Sequence, residues 1–144
     1  IMKFLPIPSE QIDSMWPYVE PVLQKSVSLT PDRIETKDVY DEAKKGSYLV
    51  WIVYEEKEDT KVIQAVLTAR ISQYPKTKAL CIDFVAGQRM KEWLPIVMPI
   101  FEDLGKANGC THIEGYGRKA WQRYLEKYDW KPRHIQYEKR LSNE

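Results

Sequence analysis

Two carboxylates, Asp83 and Glu114, stand in stretches that are otherwise apolar, residues 79–85 and 110–116. A carboxylate in such a setting must find a partner or accept a shifted pKa, and both functional groups and structural ion pairs arise in this way. Arg70, Arg118 and Lys119 are the basic residues able to meet them. Between the two carboxylates the run Ala86-Gly87-Gln88-Arg89-Met90-Lys91-Glu92-Trp93 opens a helical pattern. A helix start with polar and cationic residues can hold an anion, because its first backbone N–H groups are exposed and its dipole favours negative charge. The same residues also make an ordinary helix start with solvated charges. His112 and His134 share no metal-ligand spacing, and Cys110-Thr111-His112 falls short of the ligand set zinc takes from a protein. No serine-elbow motif or Walker-type loop is present, so hydrolase and nucleotidase chemistry has no anchor.

Bulk properties narrow the partners. The chain has 144 residues, 43% hydrophobic and 12% aromatic, enough for a sizeable core. Its formal charge of +1 gives no general attraction to nucleic acid or membrane. No apolar run nears the roughly 20 residues that cross a bilayer. Pro6 and Pro8 interrupt the only apolar stretch at the N-terminus, so no signal-peptide pattern is expected. Cys81 and Cys110 are too few for a disulfide framework, and in strands free cysteine behaves as a small buried hydrophobe. The expected location is cytoplasmic.

The elements that position these residues follow from periodicity. Met90, Trp93, Leu94, Val97, Phe101 and Leu104 keep the three-four spacing of a helix with one buried face. Pro95 and Pro99 inside it predict a kink or a late start, and Asn108-Gly109 ends it. Residues 110–116 read as a strand. Trp121, Tyr124, Leu125 and Tyr128 restart the helical period, and 134–141 alternates as a last strand. At the front, 3–7 is a strand and Ser9 caps a helix carrying Ile12, Met15, Trp16, Val19, Val22 and Leu23, with Pro17 and Pro21 expected to kink or split it. Thr30-Pro31 starts a second helix that ends near Gly46. Residues 48–54 and 62–72 are strands joined by a charged hairpin tip. Ile63, Ala65, Leu67, Ala69 and Ile71 share one face of the second, and Gln64, Thr68 and Arg70 the other. Tyr74-Pro75 makes a turn before the strand 79–85. The order is β-α-α-β-β-β-α-β-α-β in one α/β (α+β) domain, 2–144, with a mixed sheet and helices on both faces.

This order resembles the GNAT-type N-acetyltransferase fold over essentially the whole chain. Tyr74-Pro75, Gly109-Cys110, Gly117-Arg118 and Trp121 further resemble GNAT-like proteins encoded by tailed phages and prophages. The resemblance implies an acetyl-CoA cofactor. In the family a Q/R-x-x-G-x-G/A turn holds its pyrophosphate. The matching residues here are Gly87, Gln88, Arg89 and Lys91, with Lys91, Glu92 and Trp93 where the later glycines would stand. Backbone groups near Phe84 and Val85 would align the pantetheine arm. The family cleft opens between the fourth and fifth strands, which implies Asp83 or Glu114 as general base and Arg70, Arg118 and Trp121 on the acceptor side. The family tyrosine that protonates the departing thiolate lies in a Y-E-K-x-G-F-like stretch. Here Leu125 takes the tyrosine position and Asp129 that of the glycine, so Tyr124 or Tyr128 would have to replace it. The stripe Trp121, Tyr124, Tyr128 also reads as packing.

Two functions follow. One is an acyl-CoA-dependent N-acyltransferase acting on a small-molecule or protein amine, with Tyr124 as thiol acid and Asp83 or Glu114 as base. The other is a GNAT-like phage protein that has lost catalysis and binds a phage or host protein, as in virion assembly. Nucleic acid is not an expected partner, since Lys131, Arg133, Lys139 and Arg140 are interleaved with Glu138 and make no basic face.

Overall fold

Residues of high strand propensity crowd 48–54 and 62–71, and the two segments form the long antiparallel pair at the centre of the sheet. The computed structural model describes residues 1–142. In it β2 (Leu49–Lys57) pairs with β3 (Thr60–Gln73), and β1 (Met2–Pro6) adds to β2 on the outside. Beyond β3 lie β4 (Lys78–Ile82) and its continuation β5 (Val85–Gly87), both antiparallel to it. β6 (His112–Gly115) runs parallel to β4 at the sheet edge. The sheet is therefore mixed.

Helices cover both faces. α3 (Met90–Ala107) brings Trp93, Leu94, Val97 and Phe101 against Phe4, Trp51, Leu67 and Leu80. Phe4 and Trp51 stack at 4.6 Å between ring centroids, and Phe101 meets both rings edge-on. On the opposite face α1 (Ile12–Val27) and α2 (Thr36–Lys45) bury Val19, Leu23 and Val39 against Val50 and Val66. Among the described residues no helix is long and apolar enough to cross a membrane.

The prolines do not break their helices. Pro17 and Pro21 lie inside α1, and Pro95 and Pro99 inside α3. Each pair is spaced by four, and all four residues are exposed. The carbonyls that lose a helical partner therefore face water rather than the core. The start of the second helix also differs from expectation. Thr30-Pro31 falls in turns, and α2 begins at Thr36, where Glu35 N–H donates to Asp38 Oδ2 at 2.8 Å as half of a capping box. Gly46 ends it with φ of 86°, as the sequence implies.

Two strand expectations are corrected. Register passes from Val53↔Ala65 to Tyr54↔Ile63, so Gln64 is an extra residue and Ile63 turns to the α1/α2 side, away from Ala65 and Leu67. Residues 134–141 form no strand: among the described residues their backbone pairs with no strand, and they stay exposed. Their charged positions are taken up elsewhere, Arg140 donating to Asp32 at 2.6 Å and Glu138 facing Arg33 at 3.7 Å in the loop between α1 and α2.

The Gln64 bulge is locked to the site by Gly87. A Cβ on Gly87 would stand 2.3 Å from the Gln64 carbonyl oxygen and 2.5 Å from Ala65 Cα, and the residue has φ of 142°. Gly87→Ala should cost about 2–3 kcal/mol and lower Tm by on the order of 10 °C, read by thermal unfolding followed by circular dichroism.

Candidate functional site

β4 breaks step at Asp83-Phe84 before continuing as β5. Thr68, opposite the break, satisfies it twice: its N–H donates to the Phe84 carbonyl at 3.0 Å, and its hydroxyl accepts from the Phe84 N–H at 3.1 Å. The bulge turns Phe84 into the α1/α2-side core, on the same side as Asp83. The parallel partner follows only as far as Gly115, opposite Ile82, where a Cβ would stand 2.8 Å from the Ile82 carbonyl oxygen. Beyond that point β5 pairs with β3 alone, and its other edge carries no strand among the described residues.

Register lays a polar row across the sheet beside this opening. Arg70, Cys81 and Glu114 are cross-strand neighbours, and Ser72, Ala79 and His112 form the next rank. Arg70 grips Asp83 with two hydrogen bonds, Nε to Oδ2 and Nη2 to Oδ1, the second at 3.2 Å. The Asp83 side chain is only 13% exposed. Those hydrogen bonds raise the Arg70 pKa further, despite its partial burial. Burial pushes up the Tyr48 hydroxyl beside the pair, and the Asp83 charge adds to that. Burial likewise raises the Cys81 thiol, which keeps it neutral and packing-like.

Glu114 is held differently. Tyr74 donates its hydroxyl to Oε2 at 2.8 Å, and His112 Nε2 lies 2.9 Å from Oε1. An ionised carboxylate only accepts, so Nε2 is the donor, and Thr111 Oγ1 lies 2.9 Å from the other ring nitrogen, Nδ1. The Tyr74 and His112 rings stack at 6.4 Å, inclined by 15°. Burial pushes the Glu114 carboxyl upward, but the hydrogen bonds from Tyr74 and His112, with the charges of His112 and Arg70, outweigh it and leave the pKa lowered.

The helix start splits its two cations. Arg89, at φ of 62°, donates to Glu92 at 2.6 and 2.8 Å and to Glu55 at 2.9 Å, hydrogen bonds that hold its pKa high. Its donors are turned onto carboxylates. Lys91 forms no ion pair among the described residues, and its ammonium lies 5.8 Å above the Tyr124 ring. Gln88 binds Gln64, through its N–H to the carbonyl at 2.9 Å and through its amide to Oε1 at 3.2 Å. The amides of Met90 and Lys91, in the first turn, have no backbone acceptor.

Tyr124 sits in α4 (Gln122–Leu125), a single turn between two short 3-10 turns, and packs half-buried with Trp121, Leu125 and Tyr128 against the α3-side core. Its oxygen accepts from Arg123 at 2.8 Å, which leaves its own proton free to donate. Arg118 is exposed, with no side-chain partner among the described residues, so it does not join the row. No group of three potential metal ligands occurs among the described residues. Of the surface clefts, one of about 340 Å³ lies between the ends of α1 and α2, lined by Gln24, Ser28, Glu35 and Thr36. Another, of about 160 Å³, runs beside β6. Neither holds an expected site residue. Tyr74, His112 and Thr68 were not expected in the site. The i, i+2 spacing of His112 and Glu114 is the signal that puts both on one face of a strand.

No family model and no curated protein matches this chain. Solved structures do. Glucosamine-6-phosphate N-acetyltransferase of Arabidopsis thaliana superposes at TM-score 0.68 with 18% identity over 99% of each chain. A predicted acetyltransferase of Clostridium acetobutylicum, solved with acetyl-CoA, gives 0.63 with 14% identity over 98% of this chain and 97% of that one. An aminoglycoside acetyltransferase from an uncultured soil metagenomic sample, in complex with sisomicin, gives 0.64 with 10% identity over the same shares. The fold is therefore that of the GNAT-type acetyltransferases.

Arg70→Ala leaves a largely buried Asp83 carboxylate without its partner and should cost about 2 kcal/mol in urea unfolding. The double change with Asp83→Ala should recover part of that loss, which a double-mutant cycle reads directly.

Proposed function

We propose that this chain, on its GNAT-type fold, is an acyl-CoA-dependent N-acyltransferase acting on an amine, with Glu114 as the proton acceptor. The observation that carries this reading is the parting of β6 from β5, which leaves the backbone edge of Val85–Gly87 free beside Glu114's strand. That edge suits a chain of amides such as the pantetheine arm, which would bind like an added strand near Phe84 and Val85. Phosphate would rest on the Met90 and Lys91 amides and the Lys91 ammonium, because Arg89 is engaged by Glu55 and Glu92. Bound there, acyl-CoA would supply an activated thioester carbonyl.

The chain's own residues divide the remaining work. Asp83, gripped by Arg70, is a positioning group rather than a base. Glu114 retains lone pairs beyond those used by Tyr74 and His112. With its pKa lowered it is a weak base toward an ammonium ion, but it suffices once bond formation at the acyl carbon has made the N–H acidic. Tyr124, with a proton free to donate, would serve the departing thiolate. The acceptor is a small-molecule or protein amine.

A second reading draws on one specific observation, the capture of Arg89 by two carboxylates. It is a GNAT-like binding protein without turnover, the reading to which the resemblance to phage-encoded chains belongs. Calorimetry separates the two. Acetyl-CoA should bind with micromolar affinity, and Lys91→Ala should weaken it about tenfold, the effect of one charge-assisted phosphate contact. Arg89→Ala should change it little. Glu114→Gln should lower kcat by roughly a hundredfold or more in a thiol-release assay over a panel of amines, with acetyl-CoA affinity unchanged. Absence of binding at millimolar acetyl-CoA would discard the enzyme reading.

A further inference from the structure

β6 runs parallel to β4, so the chain leaves both at the same end of the sheet. The helices that follow, α3 after β5 and α4 after β6, are brought together there, and Tyr124 marks the meeting point. The Lys91 ammonium stands 5.8 Å from the centre of its ring, and the Arg123 guanidinium carbon 4.8 Å from it. Cations from separate elements thus share one aromatic side chain. An aromatic face holds an exposed cation weakly and leaves its charge in place.

Neither cation has an ion-pair partner among the described residues, and the carboxylates nearest to them in sequence are taken. Glu92, next to Lys91, accepts from Arg89, and Glu126, one turn beyond Arg123, accepts from Gln122 at 3.1 Å. Residues 117–128 add Arg118, Lys119 and Lys127, with Glu126 as their only acid. In a chain of net charge +1 this end of the sheet therefore gathers unmatched positive charge, which attracts an anion.

The two cations differ in what they can hold. Lys91 is a point charge beside the first α3 amides, whereas Arg123 presents a planar fork of N–H groups that meets phosphate oxygens in pairs. The hydrogen bond from its Nη2 to the Tyr124 oxygen, at 2.8 Å, leaves most of that fork unused. The side chain is exposed and long enough to turn from the ring to a ligand. Coenzyme A carries its negative charge in separate places, a pyrophosphate and a phosphate monoester on the ribose, so cations on separate elements suit it.

We propose that Arg123 binds the ribose phosphate monoester of acyl-CoA while Lys91 and the first α3 amides hold the pyrophosphate, and that this chain thereby selects the coenzyme over its dephospho form. The inference rests on the acyl-CoA reading and names the residue that recognises one group of that ligand.

Calorimetry of the full chain with acetyl-CoA and with acetyl-dephospho-CoA tests it. The unaltered protein should bind acetyl-CoA about tenfold more tightly, the effect of one charge-assisted phosphate contact. Arg123→Ala should erase that preference by weakening acetyl-CoA while leaving the dephospho form unchanged, and Arg123→Lys should keep part of it. Lys91→Ala should weaken both forms alike, because both carry the pyrophosphate. Added salt should narrow the preference. Equal affinity of the unaltered protein for the two forms overturns the proposal and leaves the acyl-CoA reading in place. An Arg123→Ala chain that loses both forms equally also overturns it, since that is the mark of a structural role through Tyr124. Binding of neither form at millimolar concentration removes the acyl-CoA reading and the proposal together.

Discussion

The side chain of Thr68 lets one strand change step inside a sheet without leaving a backbone group unpaired. Its hydroxyl accepts the Phe84 N–H that a regular ladder would hand to a carbonyl, and its own N–H reaches the Phe84 carbonyl. Buried backbone groups must be paired, and Thr68 is 1% exposed. Without that acceptor, the break between β4 and β5 would leave a buried donor unpaired. With it, β5 stays on β3 while β6 stops opposite Ile82. The open backbone edge, the orientation of Asp83 and the packing of Phe84 all depend on this break.

Two carboxylates of similar sequence setting thereby reach different electrostatic states. Asp83, just at the bulge, faces Arg70 across β3 and β4 and is neutralised by it. Glu114, one strand further out, has no arginine or lysine in direct contact and is held by hydrogen bonds from a phenol and an imidazole. A compensated charge is held in place, whereas a hydrogen-bonded one at the edge keeps lone pairs open. A similar contrast separates Arg89, turned onto Glu55 and Glu92, from Lys91 over an aromatic face. At the glycine-poor helix start the arginine is engaged, and the first amides and a lysine are the groups left without an acceptor or ion pair among the described residues.

Much of the architecture was legible in residue patterns. The stripe from Met90 to Leu104 became α3, Asn108-Gly109 ended it, and Tyr74-Pro75 made the turn before β4. Propensity failed where tertiary context supplies what local sequence lacks. Four prolines sit inside helices because solvent takes over the carbonyls they free. Thr30-Pro31, a good local start, lost to Glu35 and Asp38, whose reciprocal geometry caps α2 five residues later. Ile63 left its expected face because Gln64 is an inserted residue, and alternation does not show an insertion. The alternating tail is the converse case: its pattern is that of a strand, but a strand exists only when another supplies its hydrogen bonds.

The sequence by itself determined the element order up to β6, the mixed sheet covered on both faces, and the placing of Glu114 in a strand beside the one that ends at Asp83, because periodicity and burial are local properties of the chain. Tertiary structure alone decided which carboxylate is paired and which stays available. It also decided which cation at the α3 start is free and whether the last segment joins the sheet. Each of those depends on a partner distant in sequence, Arg70 for Asp83, Tyr74 for Glu114, Glu55 for Arg89 and Asp32 for Arg140. Charge and hydrogen-bond energies fall off over a few ångströms, so only the folded chain fixes which of many possible partners lies within reach.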